Sequence, residues 1–91
     1  MLPIVWRATA RDDLLQIIRY IANEDSKAAR QLKERLESVV LPLAEHPYLY
    51  RFGRVPGTRE LIAHPNYILV YRVAADAVEV VNVLHARQQY P

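Results

Sequence analysis

The hydrophobic period turns from helical to strand-like beyond Gly57, and that change constrains the fold more than any other feature. Leu14, Leu15, Ile18, Ile21 and Ala22 fall at i, i+1, i+4, i+7 and i+8, the stripe of an amphipathic helix of about four turns. Ala28, Ala29, Leu32, Leu36, Val39, Val40 and Leu43 continue at helical spacing. Beyond Gly57 come three runs rich in β-branched and aromatic residues, Arg59–Ala63, Tyr67–Val73 and Val78–Leu84. Their connectors, His64-Pro65-Asn66 and Ala74-Ala75-Asp76-Ala77, are short enough for a meander. With Leu2–Arg7 as a first short strand, the order is β-α-α-β-β-β. That order predicts an α+β domain, with a helical hairpin packed on one face of a small, mostly antiparallel sheet.

Local signals set the expected boundaries. Pro3 puts the first strand at an edge or an end. Thr9 followed by Asp12 reads as a capping-box-like helix start, with Asp12 and Asp13 suited to the positive end of the helix dipole. Asn23 to Ser26 is the break between helices, with Asp25 or Ser26 as the second cap. Pro42 should end or kink the second helix near Leu41. Pro47, Gly53, Pro56 and Gly57 mark His46 to Gly57 as a loop. Tyr67–Val73, apolar on both faces, should be a central strand. The sheet face away from the helices must be covered by a partner or by the chain ends.

Ninety-one residues, 52% hydrophobic and 24% charged, make one globular domain spanning 1–91. No apolar run approaches the roughly 18 residues of a membrane span, and the start lacks a signal-peptide pattern, so the expected compartment is the cytoplasm. Zero cysteines exclude disulfide scaffolds and thiol chemistry. Two glycines, at 53 and 57, leave no nucleotide-cradling loop, and no cofactor is implied. His46, His64 and His85 lack metal-ligand spacing, so no metal is assigned. The net charge is +2, and all of the excess lies in residues 46–91, where five arginines face three acids.

Four features could carry chemistry. In the C-terminal string Leu84 to Pro91, His85 could act as acid or base, Arg87 could hold a phosphate, and Tyr90 could donate a proton or stack. Those residues could equally pack the chain end onto the sheet. Arg59 and Glu60 are strand neighbours on opposite faces. Glu60 is either a general base or half of a surface ion pair. Arg72, in an otherwise apolar strand, must reach solvent, a carboxylate or a ligand. Tyr67 and Tyr71 share a strand face, as a stacking platform or as core.

Three strings, Thr58-Arg59-Glu60-Leu61, His64-Pro65-Asn66-Tyr67-Ile68-Leu69-Val70-Tyr71-Arg72-Val73 and Val81-Asn82-Val83-Leu84-His85-Ala86-Arg87-Gln88-Gln89-Tyr90-Pro91, resemble the RelE/ParE superfamily of type II toxin–antitoxin toxins. The likeness is to the ParE-like, plasmid-stabilisation branch and covers essentially the whole chain. It implies a growth-inhibiting toxin held in a hetero-oligomer by a cognate antitoxin. On the ParE-like reading the toxin inhibits DNA gyrase by protein–protein binding and has no catalytic residues. Arg59, Arg72, His85, Arg87 and Tyr90 are then candidates for gripping the target.

The alternative is a RelE-like, ribosome-dependent endoribonuclease acting on mRNA. Glu60 or His85 would be its base, Arg72 and Arg87 its phosphate holders, and His85 or Tyr90 its acid. Such an enzyme needs a strongly basic surface, and this chain has no lysine after Lys33. The ParE-like reading is therefore the expectation. A third possibility is a degenerate member that survives as an antitoxin-binding scaffold.

Overall fold

In the computed structural model, which describes all residues Met1–Pro91, Arg7 is extended and hands β1 (Ile4–Trp6) directly to α1 (Ala8–Ala22). Thr9 does not cap this helix. It lies inside the first turn, and its hydroxyl donates to the Val81 carbonyl at 2.5 Å. Asp25 is the cap of α2 (Ser26–Val39), its Oδ1 accepting from the Ala28 N–H at 3.0 Å. Pro42 has the expected effect: the α-helix stops at Val39 and a single 3₁₀ turn, Leu41–Ala44, follows.

The stretch expected to be an open loop contains a strand, β2 (Arg51–Phe52). Two residues carry no period, so pairing rather than pattern defines it. β2 lies antiparallel to β3 (Arg59–His64), which pairs with β4 (Tyr67–Val73), which pairs with β5 (Val78–His85). β1 adds to β5 in parallel, giving the order β1-β5-β4-β3-β2. The fold is thus α+β as expected, with five strands rather than four. β4 is central and Pro3 precedes an edge strand.

One irregularity matters for the core. Val70 pairs with Asn82 but Tyr71 pairs with Val80, so Val81 is an extra residue on β5. The bulge resets the alternation, and Val78, Val80 and Val83 all join the helix-side core with Leu36, Leu43, Leu61, Leu69 and Tyr71. Fully burying a side chain of leucine size contributes roughly 1.5–3 kcal/mol, so this layer dominates the stability. Beyond Trp6 β1 no longer flanks β5, and α1 takes its place along that edge. Thr9 meets the Val81 carbonyl, and Asp13 Oδ2 accepts from the Val83 N–H at 3.0 Å and from Asn82 Nδ2 at 2.9 Å. Asp13 therefore ties helix to sheet, a stronger use than the dipole contact expected of it.

Register and alternation place Glu60, Ile68, Val70, Arg72 and Leu84 on the face away from the helices. Ile68, Val70 and Leu84 are nonetheless buried. The chain end returns to this side: the Tyr90 hydroxyl donates to Asn82 Oδ1 at 3.4 Å, and its ring lies 5.8 Å from the Arg54 guanidinium. Of the two expected covers, the chain supplies one itself.

Candidate functional site

Glu60 is the one buried charged residue, at 3% exposure. The register opposes it to Arg51, and the tight turn from Gly53 to Thr58 brings Arg54 round to the same carboxylate. Oε1 accepts from Arg51 Nη2 at 3.4 Å, while Oε2 accepts from the Arg54 backbone N–H at 2.9 Å and from Arg54 Nε at 3.1 Å. Burial, the largest influence, pushes the Glu60 pKa up. The hydrogen bonds from Arg54 and the charges of Arg54 and Arg51 outweigh it and hold the carboxyl below its ordinary range. A carboxylate kept ionised with both oxygens engaged is a poor proton acceptor. The surface ion pair considered from the sequence has its carboxylate buried and its arginines partly exposed, and Arg54 links it to Tyr90.

Arg72 reaches a carboxylate. Its Nε and Nη2 donate to Glu79 Oε1 at 3.0 and 2.5 Å, and Arg7 Nη1 lies 3.6 Å from Glu79 Oε2. The Arg72 hydrogen bond and the charges of Arg72 and Arg7 overcome desolvation and lower the Glu79 pKa.

His85 sits at the other end of β5, opposite Tyr67. The two rings meet edge-on at 5.5 Å, and His64 lies 5.7 Å from the other side of the tyrosine. His85 Nδ1 accepts from the Arg87 N–H at 3.1 Å, and the Arg87 side chain is exposed. Tyr67 and His85 face the helices and help line an open groove of about 470 Å³ with Asp13, Gln16, Tyr20 and Gln88. Arg72 projects from the opposite face. Along β4 it is five residues from His85's partner, roughly 17 Å at the rise of a strand. These two residues cannot meet on one phosphate.

Tyr71 is core, with no exposed surface, and its hydroxyl donates to the Pro47 carbonyl at 3.0 Å. Burial raises its pKa, against smaller opposing effects of the Tyr50 backbone and the charge of Arg59. The stacking platform imagined for Tyr67 and Tyr71 does not exist. No three acidic or histidine side chains gather as a metal-ligand set.

A different aromatic cluster surrounds Arg59. Its Nη1 donates to the Tyr50 carbonyl at 2.7 Å and to the Tyr48 carbonyl at 3.4 Å. The guanidinium carbon lies 4.4 Å from the Phe52 ring centre and 5.0 Å from that of Tyr48. The sequence marks Arg59, and Tyr48 as one of several scattered tyrosines, but gives no sign of Phe52. The pairing of Phe52 with Arg59 brings them together, and no spacing rule announces it.

The family described as "ParE toxin of type II toxin-antitoxin system, parDE" matches residues 4–90. The chain is 42% identical over 89 residues to "Putative toxin Y4kP" of Sinorhizobium fredii, covering 97% of this chain and 92% of that protein. It is 35% identical over 86 residues to "Toxin RelE2" of Caulobacter vibrioides, covering 94% and 97% respectively. Among solved structures it is similar to a chain of the "Chromosomal ParDE TA system from P. aeruginosa", with TM-score 0.83 at 20% identity over 93% of this chain and 96% of that one. Similarity to the YoeB dimer from Staphylococcus aureus is lower, with TM-score 0.59 at 14% identity over 98% of each chain. At such identities the structural likenesses establish a shared fold.

Proposed function

The chain belongs to the ParE toxin family of type II toxin–antitoxin systems, within the RelE/ParE superfamily, and from that premise we propose that it arrests growth by binding DNA gyrase, without chemistry of its own. Membership of a type II system implies a cognate antitoxin as its partner. The observation that carries the gyrase reading is the separation of His85 from Arg72. One lies on the helix side of the sheet, and the other lies on the far side about 17 Å along it.

Cleavage of RNA by in-line attack needs a base, an acid and cations within contact of one phosphate. Here Glu60 is consumed by Arg51 and Arg54, Arg72 by Glu79, and His85 faces the other way. The weak net charge of +2 adds to the case, because affinity for nucleic acid grows with the number of phosphates neutralised. Arginines and aromatics are, in contrast, the commonest anchors of protein interfaces. Arg59, Arg72, His85, Arg87 and Tyr90 act in this reading as contacts to the target.

The test is a supercoiling assay with purified toxin and gyrase. Inhibition at micromolar toxin, relieved by the antitoxin, is the expected result. Undiminished supercoiling, together with codon-phased cuts in translated mRNA on primer extension, would replace this reading with the ribonuclease one.

A further inference from the structure

We propose that the Tyr48–Arg59–Phe52 sandwich at the β2 edge is the contact through which the toxin holds its target, and that the matching surface on that protein presents carboxylates around an apolar side chain. The inference rests on the reading that the toxin acts by gripping a protein, and it names the gripping surface.

Tyr48 and Phe52 are 67% and 79% exposed, and both rings lie against Arg59. Large apolar side chains grouped in this way on a small domain mark an interaction surface. The rings are not loose. The Arg59 guanidinium lies against both, and its Nη1 is anchored to the Tyr48 and Tyr50 carbonyls. A surface ordered before binding loses little conformational freedom when it docks. Beside the two rings and Arg59 lies a shallow depression of about 190 Å³, bordered by Thr58 and Val73, large enough for one apolar side chain.

Charge selects the partner. From Pro47 to Ala63 the chain carries Arg51, Arg54 and Arg59 against Glu60 alone, and both Glu60 oxygens are already taken. Arg59 Nε and Nη2 make no hydrogen bond within the chain, leaving the edge of the guanidinium open to a carboxylate in bidentate fashion. An acidic partner with an exposed aliphatic or aromatic residue fits this patch, and a basic one is repelled.

The experiment compares full-length wild type with Phe52→Ser and Phe52→Trp. It measures gyrase supercoiling, antitoxin affinity, oligomeric state by light scattering, and growth arrest on induction. The expected result is at least a tenfold rise in the Phe52→Ser concentration needed for half inhibition, with antitoxin affinity unchanged and Phe52→Trp close to wild type. Equal inhibition by Phe52→Ser overturns the proposal. So does retained inhibition with lost antitoxin binding, which would make the patch the antitoxin's, or with loss of a wild-type dimer, which would make it a self-contact. If wild type leaves gyrase untouched, the target reading fails by itself. Growth arrest then judges the patch: arrest by Phe52→Ser at wild-type strength overturns it, and lost arrest supports it. Should Phe52→Ser unfold, Tyr48→Ser, which lies outside every strand, is read in the same way.

Discussion

Two donors of Arg54, its backbone N–H at 2.9 Å and its Nε at 3.1 Å, converge on the single oxygen Oε2 of Glu60. The interaction closes the Gly53–Thr58 turn onto β3, so a residue that resembled a candidate base acts as the anchor of a loop. Removing one partner of a fully buried pair costs about 3–5 kcal/mol. Here the arginine side chains remain 39% and 57% exposed, so Glu60→Ala should cost less, about 2–3 kcal/mol by urea denaturation.

The same carboxylate makes stability depend on pH. Its pKa is lower in the folded chain than its ordinary 4.5, so the unfolded chain binds the proton more readily. The contribution of Glu60 is therefore complete above the unfolded value and is lost as pH falls through the folded one. Glu79, also lowered, acts in the same direction but is more accessible to solvent. Urea midpoints should fall steadily below about pH 4.5 in wild type. Glu60→Gln should flatten that fall more than Glu79→Gln does.

Asp13 offers a second structural test. Its Oδ2 satisfies the Val83 N–H at the point where β1 has ended and no strand pairs with that edge of β5. Asp13→Ala leaves that N–H and the Asn82 amide without their acceptor, a loss of about 1–3 kcal/mol. For a domain of this size that corresponds to a drop in Tm of roughly 4–8 °C per kcal/mol. Asp13→Asn keeps one acceptor oxygen and should lose about half as much in the same thermal melts.

The helical stripes, the edge position after Pro3 and the central place of Tyr67–Val73 were legible because each is a period or a composition within one segment. β2 was not, since Arg51-Phe52 is too short to show alternation. The burial of Glu60 followed it out of sight, because that depends on Arg51 and Arg54 arriving from β2 and its turn. The bulge did leave a trace: the doublet Val80-Val81 breaks the alternation of β5. Thr9 and Asp13 looked like helix-start residues because a sequence shows their neighbours along the chain and not the bare edge of β5 beside them.

The dispersal of Arg72 and His85 makes a functional prediction. If each is one contact among several, Arg72→Ala and His85→Ala should weaken gyrase inhibition by less than about tenfold each, and the double variant should lose roughly the product. Residues acting together on one reacting phosphate behave otherwise: either loss alone removes nearly all activity, and the second adds little. Dose–response curves for the three variants separate the two patterns.

Gly53 joins the turn to the anchor. A Cβ added there would clash with Thr58 Oγ1, and that hydroxyl cannot swing away freely because it donates to the Val55 carbonyl at 2.6 Å. Gly53→Ala must therefore displace Thr58 or open the turn, at about 1–3 kcal/mol. Thr58→Ala removes the clashing oxygen but leaves the Thr58 backbone carbon at 3.2 Å, so the double variant should recover part of the loss beyond additivity. Arg54 follows directly on Gly53 and supplies two of the three donors to Glu60. Opening the turn should then slacken the grip on the carboxylate as well. Gly53→Ala is expected to show a shallower fall in stability below about pH 4.5, and Thr58→Ala in the same background should restore part of that slope.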